Sequence, residues 1–326
     1  MPDRYGEILV VDLLGGIGDL LMVLPVVHGL ARRNPGARLR VLTDEPGADL
    51  VRGDPAVSEV HTPVAGEGSP AAVRRVLARR PDLAVTTTRA DGIPALLEAA
   101  AGRAVTDLWR RPPAGELVTD RYLRILHEEG LLAAEDLAVR PRVHLDPAER
   151  TAGERALAAR LPPTGRPPVV LVPDAGMAVK RWPGRHWAAL RDLLAGRGHP
   201  VLATGRNPFV PALTTGSLRR LAALLAAVGR RGGVVVGGDT GPLRLAAAAG
   251  AGTVALFGPT PAGRYGFGEG AELQGLPGCP HRRPTSITEQ VCWWHADCPL
   301  SPVEPACMAD IGPDAVAERV VGLLPP

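Results

Sequence analysis

Runs of apolar residues alternate along the chain with stretches of helical period rich in Ala, Leu and Arg, the signature of parallel βα units. Residues 8–14 (ILVVDLL) are apolar almost without a break, which predicts a strand covered on both faces. The loop GGIGD follows, and apolar positions then recur at helical spacing over 20–33. A short strand at 39–42, a helix over AAVRRVLARR and a strand at 83–87 continue the series. Around 145–168 the texture changes to a helix bracketed by proline-rich turns, HLDPAERTAGERALAARLPPTGRPP, and the domain boundary is placed there. A second series then begins, with strands at 169–172, 201–203, 234–236 and 253–257 and helices at 185–194, 217–228 and 242–249. The pattern predicts an α/β fold of two Rossmann-like domains, 1–150 and 151–326, facing across a ligand-binding cleft. The terminal helix, 314–324, is free to remain on the second domain or to cross back.

Length agrees, since 326 residues suit two cores better than one. A net charge of +3, with no basic run carrying interleaved aromatics, argues against nucleic acid as a partner. The basic residues number 37, and the only lysine among them is Lys180. A position kept as lysine in such a chain needs a compact ammonium rather than a planar guanidinium. The N-terminal apolar run is interrupted by Asp12 and Asp19, so it reads as neither signal peptide nor membrane span, and a cytoplasmic location is expected. All four cysteines, Cys279, Cys292, Cys298 and Cys307, fall in one late segment near His281 and His295. Without an export signal a disulfide framework is disfavoured, and a structural zinc or iron stands beside buried free thiols as the reading.

Three motifs carry chemistry. In LLGGIGDLL, Gly15, Gly16 and Gly18 permit a tight turn, and Asp19 stands at the start of the next helix. Leu21 occupies the place of the third glycine in a dinucleotide fingerprint, which disfavours a nucleotide-dependent oxidoreductase. By spacing, Asp19 reads equally as a helix cap or as a general base. In PDAGMAVKRWPGRHW, Lys180 follows a small-residue loop at the end of a strand, where a diphosphate could lie, while Trp182 and Trp187 read as packing residues. In VVVGGDTGPLRL, a strand runs into Asp239, Thr240 and Gly241 at a helix start, a ready anion site unless the two polar residues merely cap the helix.

In this order and at these separations, GGIGDLLMVLP, KRWPGRHW, GGDTGPLRLAAAAG and FGPTPAGRYG resemble glycosyltransferase family 9, the ADP-heptose:lipopolysaccharide heptosyltransferases. The late CPLSPVEPACMADIGPDAV is similar to that family's ending. The resemblance implies a GT-B fold, an acceptor-binding N-terminal domain, a donor-binding C-terminal domain and inverting transfer with no cofactor required for catalysis. It implies that Asp19 is the base, in an acceptor-side loop with Gly16 and Gly18. Lys180, beside Gly176, would hold the donor diphosphate, Asp239 the sugar hydroxyls, and Thr240 and Gly241 phosphate. Arg244 stands where the family usually has His, and Ala175 and Gly176 where it often has hydroxylated residues. Asn207 is the nearest substitute for a carboxylate on the donor ribose. The expected partners are a nucleotide-sugar donor and a glycan or small-molecule acceptor, with peripheral membrane contact left open. A sugar-nucleotide-binding protein without catalysis is the alternative.

Overall fold

The computed structural model describes residues 5–110, 112–162, 165–205, 210, 212–213, 215–268 and 270–325. The chain forms two compact units, residues 1–112 with 118–145, and residues 113–117 with 146–326.

In the first unit β1 (Glu7–Asp12), α1 (Ile17–Arg33), β2 (Arg38–Thr43), α2 (Ala48–Val51) and β3 (Glu59–His61) are followed by α3 (Ser69–Val76), β4 (Leu83–Thr86), α4 (Ile93–Ala100), β5 (Arg103–Val105) and α5 (Val118–Glu128). The strands form one parallel sheet in the order β3-β2-β1-β4-β5. Ile8, Leu9, Val10 and Val11 are all buried because helices cover both faces. On one side Leu9, Val11, Leu42 and Ala84 pack with Val73, Val76, Ile93 and Leu97 from α3 and α4. Arg40, on β2, is buried and donates to the carbonyls of Val76 and Arg79, which satisfies the open C-terminal end of α3.

Two boundaries differ from the sequence expectation. The first strand stops at Asp12 rather than at 14, because the Leu13 N–H turns away to donate to Thr88 Oγ1 at 2.8 Å. The first helix starts at Ile17, a turn before 20, because the Gly16 carbonyl accepts from the N–H groups of Asp19 and Leu20. Gly18 and Asp19 thus lie inside the first helical turn.

The second unit holds α6 (Pro147–Ala158), β6 (Val169–Val172), α7 (Gly184–Gly196), β7 (Val201–Thr204), β8 (Ala212–Leu213) and α8 (Leu218–Arg230). It continues with β9 (Val234–Gly238), α9 (Gly241–Ala248), β10 (Gly252–Phe257), α10 (Ala262–Tyr265), β11 (Ala271–Gln274), α11 (Ala306–Ala309) and α12 (Pro313–Leu323). Its parallel sheet runs β11-β10-β9-β6-β7-β8. One face packs Val169, Leu171, Val234 and Val254 against Trp187, Leu190 and Leu194 of α7 and Val316, Ala317 and Val320 of α12. The terminal helix therefore belongs to the second unit's own core rather than crossing back. Trp182 and Trp187 are buried edge to face, 4.8 Å apart, and the Trp182 indole N–H donates to the Ile311 carbonyl. Both are packing residues. Among the described residues no helix is long and apolar enough to cross a membrane.

Candidate functional site

In an open parallel sheet, ligands bind beyond the carboxyl ends of the strands where the strand order reverses. Each sheet has one such point, between β1 and β4 in the first and between β6 and β9 in the second. The sequence motifs occupy the loops that leave these strands.

At the first point the carboxyl end of β1 is stitched to the segment after β4. Thr87 Oγ1 donates to Asp12 Oδ1 at 2.5 Å, and Thr86 Oγ1 donates to the Val11 carbonyl. Burial pushes the Asp12 carboxyl up to about 7; the Thr87 hydrogen bond opposes the shift, and the charges of Asp19 and Asp44 add to it. Burial also raises Asp44, whose carboxylate accepts from the Gly15 N–H and so holds the loop before α1. Gly15 adopts φ +80°, a left-handed conformation that favours glycine. Asp19 is half-buried, and its carboxylate folds back over Gly16 so closely that a methyl group on residue 16 would overlap Oδ2. Asp19 is the third residue of α1 and not its N-cap, which is Gly16. Asp12 thus feels the charges of two further carboxyls, Asp19 and Asp44. Asp19 is the only one of them singled out by sequence.

At the second point Lys180, at the end of a short 3-10 turn (Ala178–Lys180), meets Asp239 in the turn after β9. Lys180 Nζ donates to Asp239 Oδ2 at 2.8 Å and to the Asp239 carbonyl at 3.2 Å. Arg244, buried on α9, donates from Nη2 to Asp239 Oδ1 at 2.6 Å and to the Tyr265 carbonyl. Its guanidinium lies 4.8 Å from the centre of the Phe267 ring. Burial alone would push the Asp239 carboxyl up, but Lys180 and Arg244 outweigh it and hold the group well below the usual carboxylate range. Two cations against one carboxylate leave the corner with one net positive charge. Thr240 stands at the N-cap of α9 but makes no capping hydrogen bond, and its buried Oγ1 has no partner among the described residues. A buried hydroxyl left open beside helix N–H groups suits an incoming phosphate oxygen. Gly241 begins the helix, while Gly176 is exposed in the loop after β6, with open space where a side chain would project. Asn207 lies outside the described residues.

The four cysteines of the late segment line one cavity of about 10 Å³, with His281 and Arg282 also in its wall. That is room for a single water-sized sphere. All four thiols are free. Burial pushes Cys307 up to about 12 and raises Cys292 as well. Arg282 donates to the carbonyls of Gly258, Gly275, Leu276 and Pro277 and brings positive charge to the thiols. Among the described residues, no three His, Cys, Asp or Glu side chains already stand as a ligand set. The segment that carries the cysteines packs on the Lys180 loop. Cys292 and Trp293 form a cluster with Val179, and Lys180 Nζ lies 5.4 Å from the Trp293 ring centre. Sequence reasoning missed Trp293, and nothing near it in the chain signals its contact with Lys180.

Two parallel Rossmann-like sheets, the second with a positively charged corner at its switch point, make this an α/β enzyme of the GT-B glycosyltransferase fold. The solved structure of a family 9 glycosyltransferase from Veillonella parvula superposes with a TM-score of 0.77 at 16% identity, covering 98% of each chain. The ADP-heptose lps heptosyltransferase II of E. coli superposes at 0.70 with 20% identity, over 97% of this chain and 98% of that one. The iron-containing dodecameric glycosyltransferase TibC from enterotoxigenic E. coli gives 0.63 at 16% identity, over 99% of this chain and 77% of TibC. At these identities the likeness establishes the fold. No curated protein matches the chain. The chain belongs to glycosyltransferase family 9, the heptosyltransferases, whose family model matches residues 101–274.

Proposed function

We propose that the protein transfers a sugar, with inversion, from a nucleotide-diphosphate donor to an acceptor hydroxyl of a cell-envelope glycan or a small natural product. ADP-heptose is the donor proposed first, because it is the donor in the name of the E. coli heptosyltransferase that shares the fold. The carrying observation is the turn after β9, where a lysine, a buried open hydroxyl and the start of a helix converge on one positively charged corner.

In this reading the second unit binds the donor. Lys180, the Thr240 hydroxyl and the amide of Gly241 hold the diphosphate, while Asp239, oriented by Arg244, accepts from sugar hydroxyls. The first unit activates the acceptor. Asp19 takes the proton of the acceptor hydroxyl, the oxygen attacks the anomeric carbon, and the bond from that carbon to the diphosphate oxygen breaks. Negative charge then grows on the leaving nucleotide, where an ammonium and fixed dipoles stabilise it most. Gly16 leaves open the space in which the Asp19 carboxylate rests.

The same reading gives the four cysteines one structural zinc or iron ion. Its support is a single-ion-sized cavity walled by Cys279, Cys292, Cys298 and Cys307, together with the iron named in TibC. Such an ion would order its segment and take no part in transfer.

The test is Asp19→Asn assayed for binding and turnover separately. We expect ADP affinity at the wild-type value and transfer lowered by about 10²–10⁴-fold, the scale of a lost general base. Near-normal transfer would leave Asp19 a first-turn helix residue and nothing more.

A further inference from the structure

Resting on the donor-site reading above, we propose that the cysteine-rich segment is a working part of that site, with Trp293 as the positioning residue for Lys180. Lys180 is drawn to Asp239 by a 2.8 Å hydrogen bond, which pulls the ammonium toward the sheet. A donor diphosphate competes with Asp239 for the same charge. The ammonium also meets the Trp293 ring 5.4 Å away, within the range where a ring face attracts a cation. Trp293 is itself buried, so the ring is a fixed wall rather than a mobile side chain.

The contact is reinforced through the backbone. Val179, the residue before Lys180, is fully buried against Cys292 and Trp293, with Met177, Ile287 and Ala296 around them. The Trp293 N–H donates to the Gln290 carbonyl, and the Cys292 carbonyl accepts from the Ala296 N–H. The loop that presents the ring therefore carries one wall of the cysteine cavity, since Cys292 and Gln290 both line it. Order in the cavity sets the place of the ring, and the ring sets the place of the ammonium between carboxylate and donor. A lysine without that wall has more rotamers to lose on binding phosphate.

The sole lysine makes the test direct. Protein labelled with [13C]lysine gives one Cε–Hε correlation, that of Lys180, shifted upfield by the ring current of Trp293. Trp293→Leu should move that signal toward its free-lysine position and weaken ADP binding by roughly 3- to 10-fold, the scale of a partly buried cation–π contact. Trp293→Phe, which keeps a ring, should recover most of both effects. In a Lys180→Met background Trp293→Leu should cost no further affinity. If Trp293→Leu fails to fold, Trp293→Phe carries the test, with a smaller upfield shift and about twofold weaker ADP binding expected. Wild-type signal position and wild-type ADP affinity in Trp293→Leu, or in Trp293→Phe where only that variant folds, would overturn the proposal. ADP binding that Lys180→Met weakens and Trp293→Leu leaves untouched overturns this inference alone. ADP binding that ignores Lys180→Met overturns the donor-site reading with it.

Discussion

Gly16 and Asp19 act as a pair: the carboxylate rests where any side chain on residue 16 would have to go. The obstructing atom is the free end of a flexible side chain, so Gly16→Ala should fold and leave the backbone intact while turning the carboxylate aside. We expect its transfer rate to fall by about 10-fold or more, since a misplaced base loses its alignment, with the melting temperature nearly unchanged. Wild-type turnover in Gly16→Ala would separate the carboxylate's position from catalysis. Asp12 makes a second claim at this scale. Its carboxyl is raised from 3.8 to about 7 by burial, so the folded unit keeps a proton that the unfolded chain gives up. Stability should therefore fall as pH rises from about 4 to about 7, at a cost of about 1.4 kcal/mol per unit of raised pKa. Thermal unfolding at pH 5 and pH 8 should show that loss in the wild type and much less of it in Asp12→Asn. An equal loss in both proteins would place the titrating group elsewhere. Asp12 was visible as a charge inside an apolar run, but its meaning depends on Thr87, which the sequence places far away and only the sheet brings near.

The elements that position the site are the ones most legible in the sequence. β1, β6, β9 and β10 are apolar runs ending in small-residue loops, and helices on both faces of each sheet explain why they carry no alternation. The edge strand β3 was invisible because its three residues are all half-buried and mixed in character. The turn after β9 was legible as an anion site, yet the pairing of Asp239 with Lys180 was not, since the two lie 59 residues apart and meet only because β6 and β9 are neighbours in the sheet. That pairing has a consequence for stability. Asp239 is held below its ordinary value, so its contribution is complete above about pH 4 and is lost as the pH falls further. Lys180→Met should cost about 1–3 kcal/mol in urea unfolding, because it removes one of two partners of a buried carboxylate. Lys180→Arg keeps the charge and should cost little. Equal stability of all three proteins would mean that Arg244 alone satisfies Asp239.

At the scale of the molecule, family membership and fold explain why the same strand–loop–helix grammar is used twice, once around a carboxylate and once around a lysine. The late cysteine segment stands outside that grammar. Its four thiols converge only in three dimensions, so spacing alone gave a weak metal signal. Protein purified without chelator should carry about one equivalent of zinc or iron, and removing it should lower the melting temperature. Metal content at background, with four freely titratable thiols after denaturation, would end that reading. The central claim is that the sole lysine holds the donor diphosphate, and the most direct measurement is kcat/KM for the donor in Lys180→Arg at subsaturating donor. The guanidinium is wider and planar, so it should misplace the donor while keeping the charge. The account predicts a loss equivalent to about 1–3 kcal/mol, the scale of one charge-assisted hydrogen bond. Transfer at the wild-type rate by Lys180→Arg would contradict it.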